Sequence, residues 1–517
     1  MTAVALEATR IRVRTSTLLA GAVVVIATLV AWWANMPYVV GVWHDDGVYA
    51  LLGRAIAAGQ GFHYTQFPGA PAATHYPPLY PLLLAVVWRL APSFPDNIAA
   101  FLAVNAVLVG VAALGMSRFL SRRLGWRDEA AAGLALLASL TTPILALSGA
   151  VLSESLFLAA CWPALAAAER AVAPDAGRRD AVTAGAVIGV LMLVRTHAVA
   201  LALALALVLV TRRRSLDALL AIVSALVIVM PWQLWTMFAT PRVPALFEGA
   251  YGSYLGWFVT GVREGGIPFV AATARLNLTE LWLLVQDRVI PADAAFPRIL
   301  AAAFLLVLVA IGAWALSRRA PVTAWFLAAY LAIVVVWPYT PWRFLWVVWP
   351  IVLMCAAVGA WWLWHASAPS RTRVLAALVV ALPAFGMLRT EWYAYEARAW
   401  AAPAIQAGAQ ITPIVAWVGR NTAQSDIVLA EGEQVVTLFT GRLAGPTASF
   451  SALEYVVPRS RAASTAELRT MIAQTSARYV LPLAPEQLEA ARALAGERPG
   501  LRPVAALPRS TVFEVVR

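Results

Sequence analysis

The sequence predicts a mainly α, polytopic membrane protein with about eleven transmembrane helices and a small C-terminal α/β domain outside the membrane. Apolar residues fill 61% of the 517 positions and charged residues only 13%, with a mean hydropathy of +0.74. A soluble fold of this length has no interior large enough for so much apolar surface. The apolar residues fall in runs long enough to cross a bilayer, punctuated by short arginine clusters. From Trp417 the runs stop, and the chain becomes polar and short-patterned.

A span needs roughly 20 apolar residues, fewer when it is untilted. The first lies at about 16–37, behind Arg10, Arg12 and Arg14. It is long for a signal peptide and ends in Trp32-Trp33 without small cleavage-site residues, so it reads as an uncleaved first span. Further spans are predicted at 97–118, 129–148, 154–172, 180–195, 198–211, 215–238, 297–317, 321–338, 344–365 and 374–390. With the N-terminus cytoplasmic, Arg122-Arg123, Arg178-Arg179, Arg212 to Arg214, Arg318-Arg319 and Arg371 with Arg373 all face the cytoplasm, as cationic loops prefer. Residues 180–211 test this topology. One continuous helix there would run roughly 45 Å at 1.5 Å per residue and put two arginine clusters on opposite sides. The stretch is therefore split around Arg195-Thr196-His197.

Residues 1–390 thus form the membrane domain and 391–517 the outer domain, with two long outer loops at 39–96 and 239–296. In the first loop Asp46 can cap a helix running to Ala58, with Val48, Leu51, Leu52, Ala55 and Ile56 as its apolar stripe and Gly59-Gln60-Gly61 ending it. Leu79 to Leu90 is apolar but too short to span, and reads as a helix lying in the interface. In the second loop Trp257, Phe258, Phe269 and Trp282 predict a segment dipping into the same interface. The tail reads as a helix to Arg420, a strand from Asp426, a helix from Glu433 to Phe439, a strand from Arg478, a helix from Pro485 to Leu494 and a last strand from Thr511 to Val516. It has no glycine-rich phosphate fingerprint, so no nucleotide is assigned.

All 39 basic residues are arginine and the net charge is +12. They cluster in loops, not along a face with interleaved aromatic rings, which argues against nucleic-acid binding. Cys161 and Cys355 lie inside apolar runs and predict neither a disulfide nor a cysteine metal site.

Chemistry concentrates on the outer side. Asp45-Asp46 opens the first outer loop, and ionisable groups at a membrane edge are costly enough to point to function. One carboxylate can cap the following helix, stabilising it by about 1 kcal/mol. Capping needs only one, which leaves Asp45 as a general base for an acceptor hydroxyl and Asp46 open between the two roles. Glu154, where the third span returns into the fourth, is either another cap or a second acid that holds a divalent cation or shares acceptor recognition. His75 and Tyr76 precede Pro77-Pro78, which lock an extended approach and then start a helix. Either they only mark that kink, or they face a phosphate or metal at the bilayer edge. A zinc cage of His44, His63 and His75 stays open, although their spacings match no metal motif, and Asp45, His75 and Glu154 are left as a candidate set for a divalent cation. Arg195 and Arg343 stand on the outer side, where arginine is disfavoured. They either snorkel into headgroups or hold a lipid phosphate through charge-assisted contacts.

Together these residues resemble the GT-C superfamily of polyprenyl-phosphate-dependent glycosyltransferases, in its bacterial protein-mannosyltransferase-like and aminoarabinose-transferase-like branch. The likeness rests on the acid pair, the glycine-closed helix, Tyr76–Leu82 (YPPLYPL), Leu152–Phe157 (LSESLF), Leu193–Thr196 (LVRT), Arg343–Leu345 (RFL), Trp417–Thr422 (WVGRNT) and Leu438–Arg442 (LFTGR), short motifs spread over nearly the whole chain. It implies a GT-C-like membrane enzyme of the bacterial inner (plasma) membrane. Such an enzyme moves a sugar, with inversion, from a polyprenyl-phosphate donor to a lipid, glycan or protein acceptor at the outer face. By the same resemblance Asp45 holds the catalytic acid position, Glu154 the second acidic position, and Arg343 steadies the leaving phosphate. The chain departs from the pattern at Tyr76, where aminoarabinose-transferring relatives carry a lysine. Two other classes suit the composition. A lipid-linked sugar transporter or flippase would favour internal repeats and polar residues at mid-membrane depth, neither of which the sequence shows. A non-catalytic envelope assembly protein would use the outer domain and have no need of the Asp45 carboxylate.

Overall fold

The structure is a computed structural model that describes residues 3–290, 295–367, 371–497 and 500–516, with side chains described from Ser16 onward. Each of the eleven predicted spans lies on helix. Six apolar helices are long enough to cross a membrane alone: Ser16–Ala34, Ile98–Leu124, Ser215–Phe238, Ala295–Arg319, Trp342–Ala366 and the start of Arg371–Asn421. The 129–148 span is two helices, Asp128–Ser139 and Thr142–Ser148, bent by 63° where Pro143 opens the second. Glu154–Ala171, Arg178–Met192, Val199–Thr211 and Pro321–Val336 are shorter. The expected break near Arg195 is present between Met192 and the short turn Thr196–Ala198. Close helix contact relies on small residues: a Cβ at Gly312 would land on the Cys355 carbonyl, and one at Gly359 on that of Leu308.

The arginine-bearing turns meet at one end of the bundle. Arg123 pairs with buried Glu169, Arg214 donates to the carbonyls of Ala171, Ala173 and Ala176, and Arg127, Arg318 and Arg319 line one groove. The opposite ends of these helices carry Glu154, Arg195 and Arg343.

The tail folds as a five-stranded sheet: β1 Ile427–Ala430, β2 Leu443–Gly445, β3 Tyr479–Leu481, β4 Gly500–Leu507 and β5 Ser510–Val516. The order is β2-β1-β3-β5-β4, with the first three parallel and the last two antiparallel. The predicted strands correspond to β1, β3 and β5. Unforeseen are β2, β4 and the helix Arg461–Thr475. β2 has three residues, and β4 is an edge strand with Pro503 at a register shift, where proline lacks a donor for the ladder.

This sheet shares a core with the first outer loop: Val48, Leu51, Tyr64 and Phe67 pack in one cluster with Leu429, Leu438, Val480 and Phe513. Residue 391 itself falls inside the continuous helix Arg371–Ala397. The helix Asp45–Ala57, expected to bury one stripe, is buried nearly all round, Asp46, Gly47, Tyr49, Ala50 and Gly53 included. Leu79–Leu90 flanks it on one side, and the start of the helix Glu433–Thr440 meets it through Gln434 at Gly47. Leu79–Leu90 matches its prediction and shows an exposed apolar row of Leu82, Val86 and Leu90. The second outer loop differs from expectation. It forms the long helix Tyr254–Val289, bent at Gly266 (φ 61°), and of its aromatic residues Trp257 and Phe269 turn inward. Trp257 and Phe269 pack on Ala452 of the tail, and Phe258 stacks on Trp337.

Candidate active site

The acid pair divides its labour. Asp46 is fully buried and points away from the cavity. Its Oδ2 accepts from the Gly41 amide at 2.8 Å, and its Oδ1 from those of Trp43 at 3.1 Å and Gly47 at 2.9 Å. Burial pushes its carboxyl up to about 7 against the pull of these three donors. The catalytic role held open for Asp46 is therefore corrected to a clasp. It is not the helix N-cap either, a position taken by His44 in the left-handed region (φ 63°). Asp46→Ala is expected to orphan three amides, at about 1–3 kcal/mol for each that stays buried, and to lower the melting temperature in detergent. Asp46→Asn, which keeps one acceptor oxygen, should cost less. A stable but inactive Asp46→Ala protein would count against the clasp.

Asp45, the first residue of the same helix, faces the cavity. Its Oδ1 accepts from the Tyr76 hydroxyl at 2.8 Å and its Oδ2 from Arg343 Nη1 at 2.8 Å. Burial acts to raise its carboxyl, but Arg343, His44 and the Tyr76 hydroxyl together hold it below the ordinary aspartate value.

Arg343 spans both acids. From the first turn after Pro341, its Nε and Nη2 donate to Glu154 Oε1 at 3.0 and 2.8 Å. Arg195, in the break between two helices, reaches the same Glu154 oxygen at 2.9 Å and Ser153 Oγ at 3.0 Å. Ser153 Oγ in turn lies 3.1 Å from the Tyr49 hydroxyl. Two carboxylates and two guanidinium groups thus cancel in charge, the condition under which fully buried Glu154 and nearly buried Arg343 are tolerable. The network is not saturated: Glu154 Oε2 and Arg195 Nε are buried without a hydrogen-bond partner among the described residues.

His75 lines the cavity but is not a cation for a phosphate. Its Nδ1–H donates to the Gly252 carbonyl at 2.6 Å, its ring lies on Tyr254, and burial lowers it to about 4, so the imidazole is neutral. The reading of His75 as a phosphate contact is corrected accordingly. Tyr76, whose ring meets Tyr49 edge-on, presents its hydroxyl to Asp45. The position between Asp45 and Glu154 where a divalent cation was considered is taken by the Arg343 guanidinium. Among the described residues no three His, Cys, Asp or Glu side chains converge as a metal site.

These groups line a cavity of about 470 Å³. Asp45, His75, Tyr76, Arg195 and Arg343 lie on its membrane-domain side. Tyr254, Trp257, Trp337, Tyr339 and Phe450 give aromatic walls, and Glu431, Glu433, Thr447 and Gln487 of the sheet domain line it from the far side. Sequence reasoning missed Tyr49 and Ser153, although one stands a helical turn after Asp45 and the other beside Glu154. The sheet-domain group carried no signal, because polar residues in a polar tail are ordinary.

No protein-family model matches the chain, and no curated protein matches it in sequence. Solved structures do match. ArnT from Cupriavidus metallidurans in the apo state superposes with a TM-score of 0.52 at 14% identity, over 96% of this chain and 98% of that one. The same protein bound to undecaprenyl phosphate gives 0.50 at 16%, over 96% and 97%. The archaeal oligosaccharyltransferase AglB from Archaeoglobus fulgidus, in complex with an inhibitory peptide and a dolichol-phosphate, gives 0.52 at 15%, over 91% and 70%. At such identities the likeness is one of fold: this multi-pass membrane chain shares the fold of these proteins.

Proposed function

We propose that the protein is an inverting glycosyltransferase that moves a sugar from a polyprenyl-phosphate donor to an acceptor hydroxyl in this cavity. The observation that carries the reading is the convergence of Asp45 and Arg343, 298 residues apart, at 2.8 Å on one cavity wall. The fold likeness to ArnT bound to undecaprenyl phosphate and AglB in complex with a dolichol-phosphate supports a lipid-phosphate donor.

The acceptor oxygen attacks the anomeric carbon while its proton passes to Asp45, and the bond from that carbon to the phosphate oxygen breaks with its electron pair. Arg343 and Arg195 face the charge that gathers on the leaving phosphate. The two halves are coupled. In the resting site Arg343 depresses the basicity of Asp45; a phosphate anion engaging the guanidinium offsets that field, so the base strengthens when donor is bound. A resident cation is not needed, since the arginines supply the charge neutralisation.

The reading places the protein in a bacterial inner membrane with its arginine-rich end and N-terminus cytoplasmic, and with the cavity and C-terminal domain outside, as loop charge favours. The test is to offer purified protein a panel of undecaprenyl-phosphate-linked pentoses and hexoses with mixed acceptors. Release of undecaprenyl phosphate, with an inverted anomeric centre in the product by NMR, is expected. Consumption of no donor would sink the reading, and a retained anomer would sink the single displacement.

A further inference from the structure

We infer that the carboxyl ends of the three parallel strands form the acceptor subsite, and that it is built for a neutral, polyhydroxyl acceptor, the sugar end of a glycan; this deepens the transferase reading and rests on it. In open α/β sheets ligands bind in the crevice beyond the carboxyl ends of parallel strands, where neighbouring connections leave in opposite directions. That crevice here lies between β1 and β3, because β1 connects to β2 on one side while β3 leads toward β4 and β5 on the other. The cavity opens there. Glu431 follows β1, Thr447 follows β2 and Gln487 follows β3, and all three line it.

Two of these side chains await a partner. Thr447 and Gln487 are at least nine-tenths buried, yet Thr447 Oγ1 and Gln487 Oε1 have no hydrogen-bond partner among the described residues. Buried polar atoms are rarely left so without a ligand or ordered water to meet them. The chemistry of the rim selects the ligand. Glu431, held by the amides of Leu483 and Ala484 at 2.8–3.1 Å, and Glu433, which accepts from the Tyr251 hydroxyl at 2.5 Å, make this end of the cavity acidic. The arginines belong to the membrane-domain helices that line the same cavity. A phosphate-bearing acceptor is repelled from the rim, whereas hydroxyl groups donate to carboxylates and to the free Gln487 oxygen. Beside them stands the ring of Phe450, exposed and backed by Trp257 at 5.1 Å, a flat apolar surface of the kind a sugar's C–H face covers.

The probes are reducing-end-labelled neutral disaccharides, a Ser/Thr peptide and phosphatidylglycerol, offered to the full-length protein in proteoliposomes with whichever undecaprenyl-phosphate sugar it turns over. Transfer to a disaccharide is expected. Thr447→Val and Gln487→Leu, made separately and together, should raise the acceptor KM, by about tenfold in the double variant, with the affinity for undecaprenyl phosphate unchanged. Exclusive transfer to the peptide or the phospholipid, or an unchanged acceptor KM, overturns the subsite. Saturation-transfer NMR with the same disaccharides reads the subsite without any donor. Signal in the wild type that the double variant loses supports it even if the transferase reading fails, and no signal, or equal signal in both, rejects it.

Discussion

Asp45→Asn is expected to lower kcat/KM for transfer by about 10²–10⁴-fold while the protein stays folded, the range over which positioned general bases act. Asparagine keeps the shape of the side chain and an oxygen for Arg343 or Tyr76, so the loop geometry set by Asp46 remains. What disappears is the carboxylate that bonds both Arg343 and Tyr76. The pH dependence carries the same signature. The carboxyl of Asp45 lies below its ordinary value, so it stays in the base form as the pH falls through 5 and loses it only in stronger acid. The kcat/KM profile is therefore flat through pH 5–8 on this account, and the acid limb of kcat, measured with donor bound, shifts upward relative to it. A variant with wild-type turnover, or an acid limb of kcat/KM near pH 6–7, would show that Asp45 is not the base.

Arg343→Ala is expected to damage both stability and donor binding. The side chain is nearly buried and bonds two carboxylates at once, and its loss leaves Glu154 with Arg195 and takes from Asp45 its guanidinium partner. Breaking one side of a buried pair costs about 3–5 kcal/mol, read as a fall in melting temperature, and undecaprenyl phosphate affinity should fall with it. Arg343→Lys separates the two effects. It restores one charge but not the fork that reaches both acids, so stability returns further than activity does. Full stability and unaltered lipid-phosphate binding in Arg343→Ala would refute the assignment.

Much of this site was legible because charge in an apolar setting is conspicuous. Asp45, Glu154, Arg195 and Arg343 stand out from their surroundings, and the structure brings all four into one network. The break at Arg195 followed from loop charge alone. Legibility ended where a side chain's direction mattered. Asp45 and Asp46 are adjacent, and only the turn from Gly41 to Gly47 decides which one faces the cavity. His75 could not be read as neutral without the Gly252 carbonyl, contributed from 177 residues away. The inward packing of Trp257 and Phe269 depends on Ala452, far along the chain, so aromatic composition alone pointed to the membrane interface instead. Strands of three residues such as β2 carry too little pattern to register.

The docking of His44 against Gln434 joins positions 390 residues apart. At about 5–20 residues per second of synthesis, the first outer loop is finished on the order of tens of seconds before its partner leaves the ribosome. During that wait Gly41, Gly47 and the apolar side chains around them lack their cover from the tail. Nascent chains halted short of residue 430 should therefore be inactive and clipped by protease within 39–96, and protection should arrive in one step once the tail has closed over them.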